Sequence, residues 1–392
     1  MKQQIVVLIS IFAICSTLFS QNNIDKILTE VEVNNTSLSA LRKSTEAERI
    51  GNKTGMYLQN PEVELNYLWS NPSVGGNRTD VSISQSFDFP TAYLFKNQIS
   101  NIKNEQIDLE YKKQLKALLL QARFVCNDFI YTNALKSELS KRLIHAQSIA
   151  NSYKSKYDVG DTNILEYNKA QLNLLNISKE LESIEIERNT LLAELTRLNG
   201  GNYIDFTDII SQSHVIQDDF EQWYISAEQK NPTSIWLLKE MEISKKQEKL
   251  SRAMSLPKLQ AGFMSEKIVG EKFQGITVGL SIPLWENKNT IKFAKANTLA
   301  IESIANDNKI QLYNHLKALH TKSIRLSKNV DDYRLNLRLF DNSELLKKAL
   351  DKGEITLVDY ILELSIYYES VYNLLELELG LNNAIAELNQ YN

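Results

Sequence analysis

At 392 residues and 43% hydrophobic content, the chain is long enough for two ordinary domains and too apolar to be disordered. Its 44 cations against 48 anions give no reason to expect a nucleic-acid partner. With only 13 Gly and 6 Pro, it should be built from long uninterrupted elements, most of them helices.

The first segment, 1–20, reads as a secretory signal peptide: Lys2 precedes an apolar run from Ile5, and Ser20 offers a small residue for cleavage. Cys15 lies inside it, and the residues before it, Phe12, Ala13 and Ile14, do not form a lipoprotein cleavage site. Cys126 is then the one remaining thiol, so neither an internal disulfide nor a thiolate metal centre is expected. No later run approaches ~18 consecutive apolar residues, which excludes a helical membrane span after the leader. A β-barrel escapes that test, because its strands alternate.

Between Pro61 and Pro90 the chain reads as a β-hairpin. Val63, Leu65, Tyr67 and Trp69 alternate with Glu62, Glu64, Asn66 and Ser70, and Leu68 is the one apolar residue on the polar face. After the loop NPSVGGNRT, Val81, Ile83, Phe87 and Phe89 share one face and Asp80, Ser82, Ser84, Ser86 and Asp88 the other, with Gln85 the exception. Strands of about ten residues with this period suit a bilayer-spanning barrel, with Tyr67, Trp69, Phe87, Phe89 and Trp285 as interfacial girdles. A soluble antiparallel sheet with one wet face uses the same alternation, so both readings stand.

From Thr91 to Lys156 there is neither Gly nor Pro, enough for about 100 Å of helix. Near its end Leu139, Leu143, Ala146, Ala150, Tyr153 and Tyr157 have the 4-3 spacing of a coiled-coil seam. The return helix carries Leu174, Ile177, Leu181 and Ile184, then Leu191, Leu195 and Leu198, and stops at Asn199-Gly200-Gly201.

The second half repeats the first. Asn35 matches Asn231 and Pro61 matches Pro257 at an offset of 196, whereas Pro90 and Pro283, Gly160 and Gly353, and Leu195 and Leu388 match at 193. The lost three residues fall in the hairpin, where a shorter loop is tolerated. Its second version alternates again: Leu259, Ala261 and Phe263 in one strand, then Ile276, Val278, Leu280 and Ile282 against Gly275, Thr277, Gly279 and Ser281. Its closing helix recurs by three and four at Leu374, Leu377, Leu381, Ala384 and Leu388. YDVGDTNILEY and LDKGEITLVDY are therefore read as the turns at the tips of two long helical hairpins. Gly160 and Gly353 supply permissive backbone there, and Asp161 or Thr162, and Glu354 or Thr356, are expected to cap the returning helices.

The expected organisation is a first repeat over 21–199 with strands about 61–90 and a helical hairpin over 91–199. A linker over 200–230, read as a small belt, leads to a second repeat over 231–392 with strands about 257–285 and a helical hairpin over 286–392. Enzyme chemistry is not expected. His145, His214, His315 and His320 have no metal-ligand spacing, and neither a G-x-S-x-G nucleophile elbow nor a phosphate-cradling glycine loop occurs. Four membrane strands cannot close a barrel, whose working minimum is about eight; three copies would supply twelve.

In this order of elements the chain resembles the TolC-like outer-membrane efflux proteins. The stretches LQNPEVELNY, SISQSFDFP and LSIPLWENKNTIKFAKA are most similar to the cobalt-zinc-cadmium efflux branch. The resemblance implies a mainly α fold with a membrane β-barrel: a duplicated helix–strand–strand–helix–helix unit, assembled as a homotrimer with a 12-stranded barrel continued by an α-helical coiled-coil barrel. It also implies a passive duct, without cofactor, that carries substrates, heavy-metal cations among them, from an inner-membrane pump of the resistance-nodulation-division type and a periplasmic adaptor (membrane fusion) protein across the outer membrane. Val159, Gly160, Lys352 and Gly353 would meet the adaptor. Asp359 would line the inner constriction, with Glu166 as its counterpart in the first repeat; the family's second acidic position there is Leu362 in this chain. The alternative is a periplasmic or surface coiled-coil interaction protein without a channel.

Overall fold

The computed structural model describes residues 23–71, 76–208 and 216–391. The leader expected over 1–20, with Cys15, and His214 lie outside them. The described chain is mainly helical with one small antiparallel sheet: α1 (Asn23–Asn34), α2 (Thr36–Gly51), β1 (Glu62–Leu68), β2 (Arg78–Phe87), α3 (Pro90–Asp158), α4 (Ile164–Leu198), α5 (Phe220–Lys230), α6 (Pro232–Met254), β3 (Lys258–Ile268), β4 (Glu271–Ser281), α7 (Thr290–Leu339), α8 (Ser343–Asp351) and α9 (Leu357–Asn389). The described residues form two compact units, one holding those up to Ser39, those within Gln114–Ala227 and those from Tyr313 on, the other those within Ala40–Lys113 and Glu228–Leu312.

In the first unit the core forms where α1 lies on α3 and α4. Ile24, Ile27 and Val31, spaced by three and four, pack against Ala122, Val125, Cys126 and Phe129 of α3, Leu195 and Leu198 of α4, and Ile204 and Phe206 just beyond it. The rings of Phe129 and Phe206 stack with centroids 5.4 Å apart. Two polar bonds stitch the end of α1 to the end of α4: Asn34 Nδ2 donates to Asn199 Oδ1 at 2.9 Å, and Asn35 Nδ2 to the Leu198 carbonyl at 2.8 Å. Gly200 sits in this junction at φ +66°, where a Cβ would come within 2.2 Å of the Asn34 carbonyl oxygen. Glycine is required there twice over, for its backbone and for its size.

The segment expected as a linker is helical over Phe220–Lys230. Phe220, Trp223 and Tyr224 of this α5 form an aromatic cluster with Tyr313 and His320 of α7, and His320 Nε2 lies 2.6 Å from the Gln217 carbonyl.

The repeated asparagines have one structural role. Asn35 Oδ1 accepts from the Leu38 N–H at 2.9 Å and Asn231 Oδ1 from the Thr233 N–H at 2.9 Å, so each buried side chain caps the second helix of a pair.

Between the two ascending stretches the repeat is not faithful. α3 runs unbroken for 69 residues, whereas the corresponding second stretch divides into α7 and α8 at Phe340–Asn342. Neither Gly nor Pro stands at the break; Asp341 Oδ1 accepts from the Ser343 N–H at 3.1 Å and turns the chain into α8. A groove of 610 Å³ opens beside it, walled by Tyr333, Leu337, Phe340, Leu346, Ile366 and Tyr367.

Candidate functional site: the sheet and the helical tips

The four strands form one sheet in the order β1-β2-β3-β4, antiparallel throughout. The second hairpin is closed by the two-residue turn Val269-Gly270, both at positive φ, 40° and 90°. Its strands are eleven residues each, whereas β1 has seven and β2 ten. Val269 is the unexpected occupant, since a β-branched residue resists positive φ.

Register decides which side chains share a face. Asn66, Asp80 and Glu266 lie in one row, and Glu64, Ser82, Met264 and Gly275 in the next. On this polar face Asp80 and Asp88 are buried, and both carboxylates are compensated. Arg78 Nε bonds Asp80 Oδ1 at 2.9 Å and Glu266 Oε1 at 3.1 Å, relieving two acids that stand directly opposite each other. Lys96 Nζ lies 2.8 Å from Asp88 Oδ2. The face is crowded at Gly262, where a Cβ would come within 2.6 Å of the Ile83 carbonyl oxygen and 2.7 Å of Thr277 Oγ1.

The opposite face is apolar and open. Ile276 is 84% exposed, Val278 81% and Val63 70%, and Leu65, Tyr67 and Leu280 are exposed with them. A sheet folded for water does the reverse, burying its apolar face and wetting its polar one. Here the apolar face is open, β1 and β4 are exposed on both faces, and burial on the polar side falls at Asp80 and Asp88.

At the tips, in the other unit, both halves form the same turn. The N–H groups of Gly160 and Gly353 bond the carbonyls three residues back (Tyr157, Leu350), and those of Asp161 and Glu354 bond the carbonyls five back (Lys156, Ala349). This is the Schellman pattern, with the glycines at φ +86° and +73°. The returning helices are capped by Asn163, whose Oδ1 accepts from the Leu165 and Glu166 N–H groups at 2.9 and 3.0 Å, and by Thr356. For the first tip this corrects the sequence expectation. Asp161 and Thr162 come too early: Asp161 closes the Schellman turn, Thr162 follows it, and the first helical residue is Ile164.

Val159, Gly160, Lys352 and Gly353 are all exposed. Asp359 is exposed too, its carboxylate held in a reciprocal capping box with Thr356, and Glu166 pairs with Lys169 at 3.0 Å. Behind the tips the hairpins share a core of Ala170, Leu350, Leu357, Tyr360 and Leu364. Among the described residues no group of His, Cys, Asp and Glu is arranged to hold a metal, and no helix is long and apolar enough to cross a membrane.

No protein-family model and no curated protein matches the sequence. Solved structures do match. CusC, described with conformational changes accompanying folding and transmembrane channel formation, aligns over 96% of this chain and 93% of its own with a TM-score of 0.78 at 13% identity. The Campylobacter jejuni CmeC outer membrane channel aligns over 94% of this chain and 85% of its own, with a TM-score of 0.75 at 14% identity. For the Vibrio cholerae outer membrane protein VceC the coverage is 94% of both chains, with a TM-score of 0.74 at 12% identity. This chain has their fold. Those structures are described as channels and as an outer membrane protein.

Proposed function

We propose that the chain is one third of a trimeric exit duct in the outer membrane, a member of the TolC-like family that passively conducts substrates to the exterior. The observation that carries this reading is the open apolar face of the sheet: exposed Ile276 and Val278 on one face, buried Asp80 and Asp88 on the other. Lipid on the apolar face and water on the polar face would satisfy both. Strands of ten or eleven residues suit a tilted crossing of the hydrocarbon layer, for which about 9–11 are needed. Aromatic residues fall at both ends of the strands, Tyr67 and Trp69 at one and Phe87, Phe89 and Trp285 at the other, as two interfacial girdles require. Three copies give a 12-stranded barrel continued by a coiled-coil barrel of helices. A soluble coiled-coil protein would leave the open apolar face without a covering.

The exposed tips suit the periplasmic end. In this reading Val159, Gly160, Lys352 and Gly353 meet the hairpin of a periplasmic adaptor, behind which stands an inner-membrane pump. Asp359, with Glu166 in the first repeat, lines the constriction, where three like charges around one axis favour cations. Heavy-metal cations are the proposed cargo on the strength of the motif likeness in LQNPEVELNY and LSIPLWENKNTIKFAKA. Selectivity among cations then resides in pump and adaptor, since a duct needs no ligand set of its own. The test is mass and conductance: light scattering of the detergent-extracted protein should give three chains per particle, and planar bilayers should show cation-selective steps. A freely soluble monomer without conductance overturns the reading.

A further inference from the structure

The sheet ends in two unpaired edges, β1 and β4, and in an antiparallel sheet of four strands these run in opposite directions. We propose that β4 of one protomer pairs with β1 of the next in the register that sets Gly279 opposite Glu64 and Gly275 opposite Leu68. The inference rests on the trimeric reading above and specifies its seam.

Three observations select this register. First, the exposed apolar residues must stay on one face: Val63 and Leu65 belong with Leu280 and Val278, and a slip of one residue would turn every side chain to the wrong side. Second, the sizes are complementary. On the polar face β4 offers Gly275, Thr277, Gly279 and Ser281 along the stretch that meets β1 in this register, with Phe273 and Glu271 beyond the end of β1, whereas β1 presents Glu62, Glu64, Asn66 and Leu68. Leu68 is the apolar exception on this face, 52% exposed, and a glycine opposite gives it backbone to cover. Around Gly275 no atom lies within 4 Å of a would-be Cβ. Setting Leu68 opposite Gly279 instead would carry Glu62 past the end of β4 at Ser281. Third, the charges match. In the proposed register Glu62 lies opposite Ser281, whose other neighbour across the sheet is Lys258. Lys258 Nζ is held in the single chain by Glu286 at 3.2 Å, and the partner's strand would add a second carboxylate across a small residue.

The experiment uses full-length protein in a Cys126→Ala background, extracted as the oligomer and oxidised with copper-phenanthroline. Three double variants are compared: Glu64→Cys with Gly279→Cys, with Thr277→Cys and with Ser281→Cys. Directly opposite positions have Cβ atoms about 4.5–5.5 Å apart and diagonal ones about 7–8 Å, so the Gly279 pair should cross-link about tenfold faster than either other. It should form dimers and trimers on denaturing gels. Faster cross-linking of another pair overturns the register. Absence of cross-links in all three while light scattering still gives trimers overturns the strand pairing and leaves the trimeric duct standing. A monomeric parent in detergent overturns both.

Discussion

Asp359 and Thr356 cap the last helix reciprocally: the Asp359 carboxylate accepts from Thr356 Oγ at 2.7 Å, and the Asp359 N–H donates back to Thr356 Oγ at 3.2 Å. The acid proposed to line the constriction therefore also starts α9, and the two roles must be separated by different substitutions. Thr356→Ala removes the cap and keeps the charge; it should cost about 1 kcal/mol of stability and leave ion selectivity unchanged. Asp359→Asn removes the charge and keeps an acceptor. It should lower the cation-over-anion preference measured as reversal potential in planar bilayers. A selectivity change in Thr356→Ala but not in Asp359→Asn would remove Asp359 from the constriction.

Gly200 ends α4 in the same Schellman pattern, its N–H bonding the Arg197 carbonyl and that of Gly201 the Thr196 carbonyl, yet it and the two tip glycines are not equally replaceable. Gly160 and Gly353 have positive φ but open space around a would-be Cβ, so Gly160→Ala and Gly353→Ala meet backbone strain alone, about 1–2 kcal/mol each. Gly200→Ala meets the same strain and the Asn34 carbonyl as well, and something must shift to admit the new methyl group. In urea unfolding followed by circular dichroism, Gly200→Ala should lose clearly more stability than either tip variant. Equal losses would mean that α1 gives way at no cost.

These examples also mark what could be read from sequence and what could not. The tip turns and the strand faces are local: a glycine at a helix end, or period-two alternation, declares itself in ten residues. Asn163 was missed because Asp161 and Thr162 are equally good cap formers, and only the length of the Schellman turn decides among them. The break at Phe340–Asn342 carries neither Gly nor Pro, so propensity favours one long helix there. The Arg78–Asp80–Glu266 cluster depends on cross-strand register, and the openness of the apolar face on packing between distant segments. Alternation alone cannot say which face is covered.

Cys126 is buried against α1, and burial pushes its thiol up to about 12. Its proton is therefore kept until strongly alkaline pH, and the reactive thiolate is scarce at any pH the protein meets. Iodoacetamide at mildly alkaline pH should leave Cys126 unmodified in the native protein and alkylate it fully after unfolding in urea, as read by intact mass. Rapid native labelling would show that α1 does not stay on its core.

The sharpest division in the molecule is between the two faces of the sheet, and equal charges placed on each should have unequal effects. Ile276 is 84% exposed on the apolar face, while Gln260 lies on the polar face, where its Nε2 donates to Ser84 Oγ at 3.0 Å. If lipid covers Ile276, Ile276→Arg places a guanidinium in hydrocarbon at a cost of about 2–4 kcal/mol near the midplane. Gln260→Arg places the same group in water beside other polar side chains, at little cost. Both variants would be refolded into vesicles and scored by the urea concentration at which the folded band disappears from unheated gels. Ile276→Arg should fall well below the parent and Gln260→Arg close to it. The reverse order would mean that water, not lipid, covers the face on which Ile276 stands.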